Sequence, residues 1–285
     1  MTRKNALFTM HIAALLFGVS GIFGVLIQTD TNTIVLGRGL FAFIAMSLMC
    51  YPFKVFPWQG LRAKDLVLLL LVGILLTLHW LVFFLAVKTG GVAVATLGFA
   101  SFPAFIAVFE SIFFREKLSK NESILIVCVS LGLVLVTPTF QITDQGTIGL
   151  LWGVLSGFLY AVITLLNRFS SKRLSGIQMC WWQYLALILV LFPFAGHTLS
   201  SLSWLNWFWL ACLGLFCTGL AYYLFVRSLV VLKGRLAAII IALEPVYAII
   251  VAWILFYDVP SIRMVIGAVL IIGAVVWAGQ SKTVS

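Results

Sequence analysis

Long apolar runs separated by short polar stretches follow one another along the whole chain. Each run approaches the roughly 20 residues that an α-helix needs to cross a hydrocarbon core of about 30 Å. The sequence lacks the short segments of alternating polarity that are typical of a membrane β-barrel. The pattern predicts an all-α integral membrane fold with ten transmembrane helices, near 7–27, 34–53, 66–87, 92–114, 123–140, 147–167, 177–196, 204–226, 236–257 and 262–279.

The composition excludes a water-soluble domain. Of the 285 residues, 63% are hydrophobic and only 9% are charged, whereas a soluble protein carries about 25% charged residues. The first apolar run extends past the length of a signal-peptide core, so we expect it to remain as the first helix. The five cysteines all lie in apolar runs without metal-site spacing, which predicts small buried side chains rather than a metal centre.

The net charge of +10 is distributed unevenly between the predicted loops. With an even number of spans both termini lie on one side, and most of the 18 Lys and Arg residues fall on that side. The positive-inside rule therefore predicts that both termini are cytoplasmic. The basic loops are expected to contact membrane lipid, so the charge does not indicate a nucleic-acid partner.

Two stretches of the chain resemble each other after a shift of 142 residues. "ASFPAFIAVFESIFFRE" aligns without a gap with "ALEPVYAIIVAWILFYD", so that Pro103 matches Pro245 and the final acidic residues also match. The chain is therefore predicted to contain two five-helix repeats, 1–142 and 143–285. Because five is odd, the second repeat enters the membrane inverted, which is a common architecture of secondary transporters.

Two five-helix halves, each with a proline midway along its fourth helix and an acidic residue at that helix's end, resemble the drug/metabolite transporter superfamily and its ten-helix EamA-like family. The resemblance covers essentially the whole chain and rests on "ASFPAFIAVFESIFFREKLS", "ALEPVYAIIVAWILFYDVPS" and the "GRG" around Arg38. It implies a bacterial inner-membrane carrier of a small-molecule substrate, with a cavity lined by helices 1–4 and 6–9. The second half departs from the family pattern, with Asp258 for the usual glutamate and no arginine matching Arg38.

Charged side chains inside a span are costly and each requires a reason. Arg38 could hold a substrate carboxylate or phosphate; the alternatives are snorkelling to the surface or an ion pair with Glu244. Glu244 could bind a cationic group or carry a coupling proton; the alternative is a glutamate that holds helices together. His79 could share the proton coupling, or it could be a buried, hydrogen-bonded histidine.

Aromatic residues and two prolines complete the predicted site. The aromatic side chains could form walls for an amphipathic substrate or could serve helix packing and the interface belt. Pro103 and Pro245 each remove a backbone hydrogen bond, and we interpret them as paired kinks that let helices 4 and 9 bend as gates. The aromatic residues are Trp80, Phe83, Phe99, Trp181, Trp182, Tyr184 and Tyr222.

The sequence favours a secondary-active or exchange transporter that exports amino acids or similar zwitterions by alternating access. A lipophilic-cation exporter would use Glu244 and the aromatic residues, and Arg38 would be irrelevant to it. "GVSG" at Gly18–Gly21 resembles a rhomboid-like protease motif, but the inverted repeat does not fit that enzyme. No HExxH or Walker A sequence indicates a metal or nucleotide cofactor. A non-transporting sensor is a further alternative, and a homodimer through helices 5 and 10 is left open.

Overall fold

The computed structural model describes residues 2–113, 118, 120–137, 139, 141, 143–170, 173–229, 231–232, 240–241 and 243–280. Within these residues the chain is all-helical and contains no strand. Six of the described helical segments are long and apolar enough to cross a membrane, and shorter apolar helices accompany them. The protein is therefore a multi-pass α-helical membrane protein.

Every predicted span contains helical residues among those that the structure describes. The first half holds α1 (Arg3–Gly18), a 3₁₀ turn (Val19–Gly21), α2 (Ile22–Leu26), α3 (Thr31–Phe53), α4 (Ala63–Phe99), α5 (Phe102–Phe113) and α6 (Lys120–Val136). The second half holds α7 (Gln145–Ser170), α8 (Gly176–Leu199), α9 (Trp204–Ala211), a π-helical segment (Cys212–Leu220), α10 (Ala221–Leu229), α11 (Glu244–Phe256) and α12 (Ile262–Gln280).

Polar side chains cap the helices that follow short loops. Asp30 accepts a hydrogen bond from the backbone N–H of Thr33 at 3.0 Å and so starts α3. At the start of α8, the Ser175 backbone N–H donates to the Gln178 side chain at 3.0 Å, and the Gln178 N–H donates to the Ser175 hydroxyl at 3.3 Å. These bonds satisfy N–H groups that have no partner within the helix, and they set where each span begins.

The predicted kinks at the two prolines are breaks between helices. α4 ends at Phe99, and Pro103 is the second residue of α5 after a turn at Ala100 and Ser101. Pro245 is likewise the second residue of α11. Proline lacks the N–H that would bond to the preceding turn, and the first turn of a helix does not need that bond. The prediction of continuous, kinked helices is therefore wrong at both positions.

The boundary between the predicted third and fourth spans lies at a kink within α4. One non-helical residue, Gly91, at φ 82° and ψ 167°, separates two helical parts of α4 there. Glycine adopts a positive φ without the clash that a Cβ would cause, so the chain changes direction between the two parts. The predicted span 92–114 is thus shared between the end of α4 and α5.

The two halves of the chain pack against each other through their helices. α3 packs on α8, α4 on α7, α1 on α10 and α11, α5 on α7, and α6 on α12. α4 and α7 approach each other closely at Gly149 and Gly153 of α7, since a Cβ on Gly149 would be 2.5 Å from the Cα of Gly90. Small residues spaced by four allow such close contact between helices in a membrane.

Candidate functional site

A cavity of about 270 Å³ lies between helices of both halves. Its walls come from α1, α3, α4, α7, α8, the π-helical segment, α10 and α11, and no described residue of α6 or α12 lines it. The seven residues that the sequence predicts for substrate binding all lie in its wall, and their role in binding stays a prediction. They are Arg38, His79, Trp80, Phe83, Phe99, Tyr222 and Glu244.

Arg38 is only 6% exposed, and its guanidinium is held on two sides. Its Nε donates a hydrogen bond to Thr218 Oγ1 at 3.0 Å, and its Cζ lies 3.9 Å from the centre of the Trp80 ring. The second contact is a cation–π interaction of a buried guanidinium. No described residue accepts a hydrogen bond from its terminal nitrogens. This burial on the cavity wall argues against the snorkelling alternative.

The glycines on either side of Arg38 explain the "GRG" sequence. A Cβ on Gly37 would lie 2.6 Å from a methyl group of Leu210, and one on Gly39 would lie 2.3 Å from a methyl group of Leu187. The two glycines therefore let α3 approach α8 and α9 closely. This packing places Arg38 in the interior between the two halves.

Glu244 is the first residue of α11 and lines the same cavity as Arg38. The two side chains attract each other electrostatically, but no ion pair within 4 Å joins them. The ion pair considered from the sequence is therefore not formed in this structure. A carboxylate in the first turn of α11 also meets the positive end of the helix dipole. The cavity thus contains one cationic and one anionic group that a ligand could reach together.

His79 is buried and hydrogen-bonded to Ser156 of α7. Its Nδ1 lies 2.9 Å from the Ser156 hydroxyl and 3.0 Å from the Ser156 carbonyl oxygen. Its ring also lies beside the rings of Phe99 and Tyr160, with centroids 5.5 and 5.3 Å away. The structure therefore contains the hydrogen-bonded histidine that the sequence left as one alternative. Its Nε2 has no hydrogen bond to any described residue.

Aromatic rings form much of the remaining cavity wall. The Trp80 ring, which contacts Arg38, also stacks on Tyr184 with centroids 5.8 Å apart. Trp181 and Trp182 do not line the cavity. Their indole N–H groups bond instead to the Ser47 hydroxyl and to a loop carbonyl, at 3.0 and 2.9 Å. The packing alternative therefore holds for these two residues, because Trp181 bonds to α3 and Trp182 to the loop between α3 and α4.

A small pocket of about 20 Å³ lies between the two helix breaks, which is room for about one water molecule. Pro103, Pro245, Phe102 and Glu244 all line it, so Glu244 borders both this pocket and the larger cavity. Phe102 occupies the place in the first half that matches Glu244, and it stacks on Phe99 with centroids 5.1 Å apart. The carboxylate therefore belongs to one half only.

Sequence reasoning missed several polar residues of the cavity wall. Thr218 is the partner of Arg38, and Gln183 donates to Asn167 Oδ1 at 2.8 Å across the contact between α7 and α8. Gln183 follows Cys180 by three residues and so lies on the same face of α8. That spacing of polar residues in an apolar helix was the available signal.

In the described part of the chain, no group of three His, Cys, Asp or Glu side chains could hold a metal ion.

These features define a multi-pass helical membrane protein with an internal cavity that contains opposite charges. Residues 4–137 and residues 147–279 each match the family model of the EamA-like transporter family. The chain therefore belongs to the EamA-like transporter family, as the resemblance of its motifs indicated.

Relatives of known sequence agree with this assignment, and a solved structure shares the fold. "Uncharacterized transporter YxxF" of Bacillus subtilis is 26% identical over 286 residues, which cover 99% of this chain and 90% of the relative. An "Uncharacterized transporter" of Archaeoglobus fulgidus is 24% identical over 271 residues, which cover 94% and 93%. A solved crystal structure has the same fold, with a TM-score of 0.65, 16% identity and 97% of both chains covered.

Proposed function

We propose that this protein is a secondary-active or exchange transporter that exports an amino acid, or a similar small zwitterion with an apolar side chain, across the bacterial inner membrane. One observation carries the proposal: Arg38 and Glu244 line a single cavity without pairing with each other. Buried charges are costly unless they are paired. A ligand with a carboxylate and an ammonium group supplies both missing partners.

Arg38 is suited to the carboxylate of this ligand. Its terminal N–H groups form a planar fork that matches a carboxylate in bidentate geometry. The Trp80 ring at 3.9 Å covers one face of the guanidinium and excludes water from it. Because electrostatic attraction is stronger where water is excluded, this contact favours binding of an anionic group from the cavity.

Glu244 is suited to the ammonium group and to a coupling proton. One carboxylate cannot hold both at once, so the substrate and the proton bind to it in turn, which is the condition for exchange. His79, on the same cavity wall, has a ring nitrogen that can take part in the proton transfer. Between the charges, rings such as Phe83 and Phe99 give an apolar surface for the substrate side chain.

We also propose that 1–142 and 143–285 are inverted repeats. The family model matches the chain twice, and the helix pairs correspond between the halves: α5 packs on α7 as α11 packs on α1. In each half a glycine also allows a close approach near the break, at positions that the 142-residue shift does not superpose. A Cβ on Gly157 of α7 would lie 2.8 Å from the carbonyl oxygen of Phe99, and one on Gly18 of α1 would lie 2.5 Å from that of Glu244.

The proposal assigns the conformational change to the two helix breaks, and it takes the orientation of the protein in the membrane from the basic loops. A helix without continuous hydrogen bonds bends at its break, so the breaks at Pro103 and Pro245 are hinges for alternating access. The excess of Lys and Arg on the side of the termini supports the proposal that both termini are cytoplasmic.

Counterflow of radiolabelled L-leucine into proteoliposomes tests the proposal. Wild-type protein is expected to give saturable counterflow, and Arg38→Ala is expected to abolish it. Arg173→Ala is a matched control, because Arg173 is a partly exposed arginine paired with Asp65 at 2.7 Å on the surface. Leucine counterflow by Arg38→Ala at the wild-type KM would refute the proposal, and so would a wild-type protein that does not move leucine.

The coupling part of the proposal has its own test. In Glu244→Gln the side chain keeps its size and loses its charge, so counterflow is expected to lose its dependence on pH. If Glu244→Gln transports leucine with the wild-type pH dependence, the coupling role of Glu244 is wrong.

A lipophilic-cation exporter is the second candidate. The observation that favours it is the group of aromatic rings beside Glu244, including the stacked pair Phe99 and Phe102. Such an exporter would move tetraphenylphosphonium equally well in the wild type and in Arg38→Ala. The zwitterion carrier is expected to move leucine and not this cation.

A further inference from the structure

Residues Cys212–Leu220 form a π-helix beside Arg38, between α9 and α10. π-helices are rare, are mostly single turns and occur often at functional sites. No proline lies in this segment to force the wider winding. The segment contacts α3 closely at Gly214, where a Cβ would lie 2.8 Å from the carbonyl oxygen of Arg38. The π-helix is therefore packed against the turn of α3 that carries the arginine.

Thr218 connects this π-helix to the Arg38 side chain. Its hydroxyl accepts from Arg38 Nε at 3.0 Å and donates to the carbonyl oxygen of Leu213, five residues earlier, also at 3.0 Å. A hydroxyl has one proton, so the bond to Leu213 leaves only acceptor lone pairs for the arginine. In the α-helices, Thr77 and Thr164 donate to carbonyl groups four residues earlier. The π winding therefore gives the Thr218 hydroxyl a different carbonyl partner and a different direction.

Two contacts together fix the guanidinium. The Trp80 ring lies against the guanidinium, 3.9 Å from Cζ to the ring centre, and Thr218 accepts the hydrogen bond from Nε. Of the five N–H donors of an arginine, those on the two terminal nitrogens remain. They have no partner among the described residues, although Arg38 is 94% buried and lines the cavity. The terminal N–H groups of Arg38 are therefore left to donate hydrogen bonds to a ligand in the cavity.

We propose that Thr218 is a positioning residue for anion recognition, and that the π-helix places it so that the terminal N–H groups of Arg38 face the substrate carboxylate. The inference rests on the proposed function, because it assumes that Arg38 binds the substrate. Without an acceptor at Nε, the guanidinium turns to bond within the protein, and its fork no longer meets the carboxylate in bidentate geometry.

Inhibition of leucine counterflow by two single-charge analogues tests this role. 4-Methylpentanoate keeps the carboxylate and lacks the amine, and isoamylamine keeps the amine and lacks the carboxylate. Thr218→Val removes the hydroxyl at nearly constant size. It is expected to raise the KM for leucine and the inhibition constant of 4-methylpentanoate about tenfold, because a hydrogen bond to a charged group is lost. The inhibition constant of isoamylamine is expected to stay unchanged.

Two further variants separate positioning from a general loss of structure. Thr218→Ser restores the hydroxyl and is expected to restore the wild-type constants. Thr77→Val removes an equally buried threonine hydroxyl, which bonds only to its own helix, and is expected to leave all constants unchanged. If Thr218→Val does not fold, Thr218→Cys replaces it, since a thiol is a weak acceptor. Equal weakening of 4-methylpentanoate and isoamylamine would overturn the inference.

The failure of this inference is distinguishable from that of the proposed function. If Arg38→Ala binds leucine as the wild type does, the proposed function is overturned. If Arg38→Ala loses leucine binding but Thr218→Val keeps the wild-type constants, only the positioning role of Thr218 is overturned. A measurement without substrate also applies. Hydrogen exchange at the Nε–H of Arg38, followed by ¹⁵N NMR and assigned with Arg38→Lys, is expected to quicken in Thr218→Val and not in Thr218→Ser. Unchanged exchange in Thr218→Val would overturn the inference.

Discussion

Gly157→Ala places a methyl group against the first helix break. The new Cβ would lie 2.8 Å from the carbonyl oxygen of Phe99, 2.8 Å from the hydroxyl oxygen of Ser101 and 3.3 Å from the backbone nitrogen of Phe102. Cβ atoms essentially never approach other heavy atoms within 3.0 Å. Since two of these three contacts are to backbone atoms, α7 and the break have to move apart.

The size of the effect follows from two opposing contributions. Overpacking of a close contact costs about 1–3 kcal/mol, and replacing glycine by alanine within a helix gains about 0.5–1 kcal/mol. With the middle of each range, about 2 kcal/mol lost and about 0.75 kcal/mol gained, the free energy of unfolding is expected to fall by about 1.25 kcal/mol. At about 2–4 °C for each kcal/mol, the midpoint of thermal unfolding falls by about 2.5–5 °C.

Thermal unfolding of purified protein in detergent, followed by size-exclusion chromatography after heating, measures the midpoint. Gly273→Ala is the matched control, because no atom lies within 4 Å of a Cβ on that α12 glycine. Its midpoint is expected to equal or exceed that of the wild type. A midpoint for Gly157→Ala at or above that of the wild type would refute the close contact between α7 and the break.

Three other substitutions test separate parts of the structure. Asp30→Ala removes the N-terminal cap of α3. It is expected to lower the free energy of unfolding at neutral pH by about 1 kcal/mol, as measured by thermal unfolding. Burial raises the pKa of Asp30, but hydrogen bonds from Thr33 and backbone N–H groups outweigh it, so the pKa lies below 3.8. The stabilisation is therefore present at neutral pH and is lost as the pH falls through that lowered pKa, which a pH series of unfolding midpoints checks. Trp80→Leu removes the cation–π contact and is expected to raise the KM for leucine about threefold to tenfold, with counterflow as the assay. Arg173→Ala breaks a partly exposed ion pair and is expected to change the unfolding free energy by less than about 1 kcal/mol.

The helical architecture was predictable because the membrane imposes it. Backbone groups in hydrocarbon have to bond internally, so each apolar run of about 20 residues becomes helical. The boundaries were less predictable. The kink of α4 at Gly91 depends on one positive φ angle, which an apolar pattern does not indicate.

The prolines show where local chemistry allowed two outcomes. A missing N–H is compatible with a kinked helix and with a helix that starts again one residue before the proline. The choice depends on tertiary contacts, here the close approach of Gly157 to the backbone between Phe99 and Phe102. The spacing of Gly149, Gly153 and Gly157 by four residues was visible in the sequence and indicates this contact.

The cavity residues divide in the same way. Charged and aromatic residues such as Arg38 and Trp80 could be identified because they are costly or distinctive inside a membrane. Thr218 could not, because a threonine in a transmembrane helix commonly bonds to its own backbone. Only the π winding of its segment, which depends on packing against α3, brings its hydroxyl to the arginine.

The central claim is that one cavity recognises both charges of a zwitterion. The most direct test is the thermal stabilisation of the wild-type protein by equal concentrations of L-leucine, isoamylamine and 4-methylpentanoate. At equal concentration, the ligand that binds the folded state more tightly stabilises it more. We predict that leucine raises the unfolding midpoint more than either single-charge analogue does. Stabilisation by isoamylamine or by 4-methylpentanoate equal to or greater than that by leucine would contradict the claim.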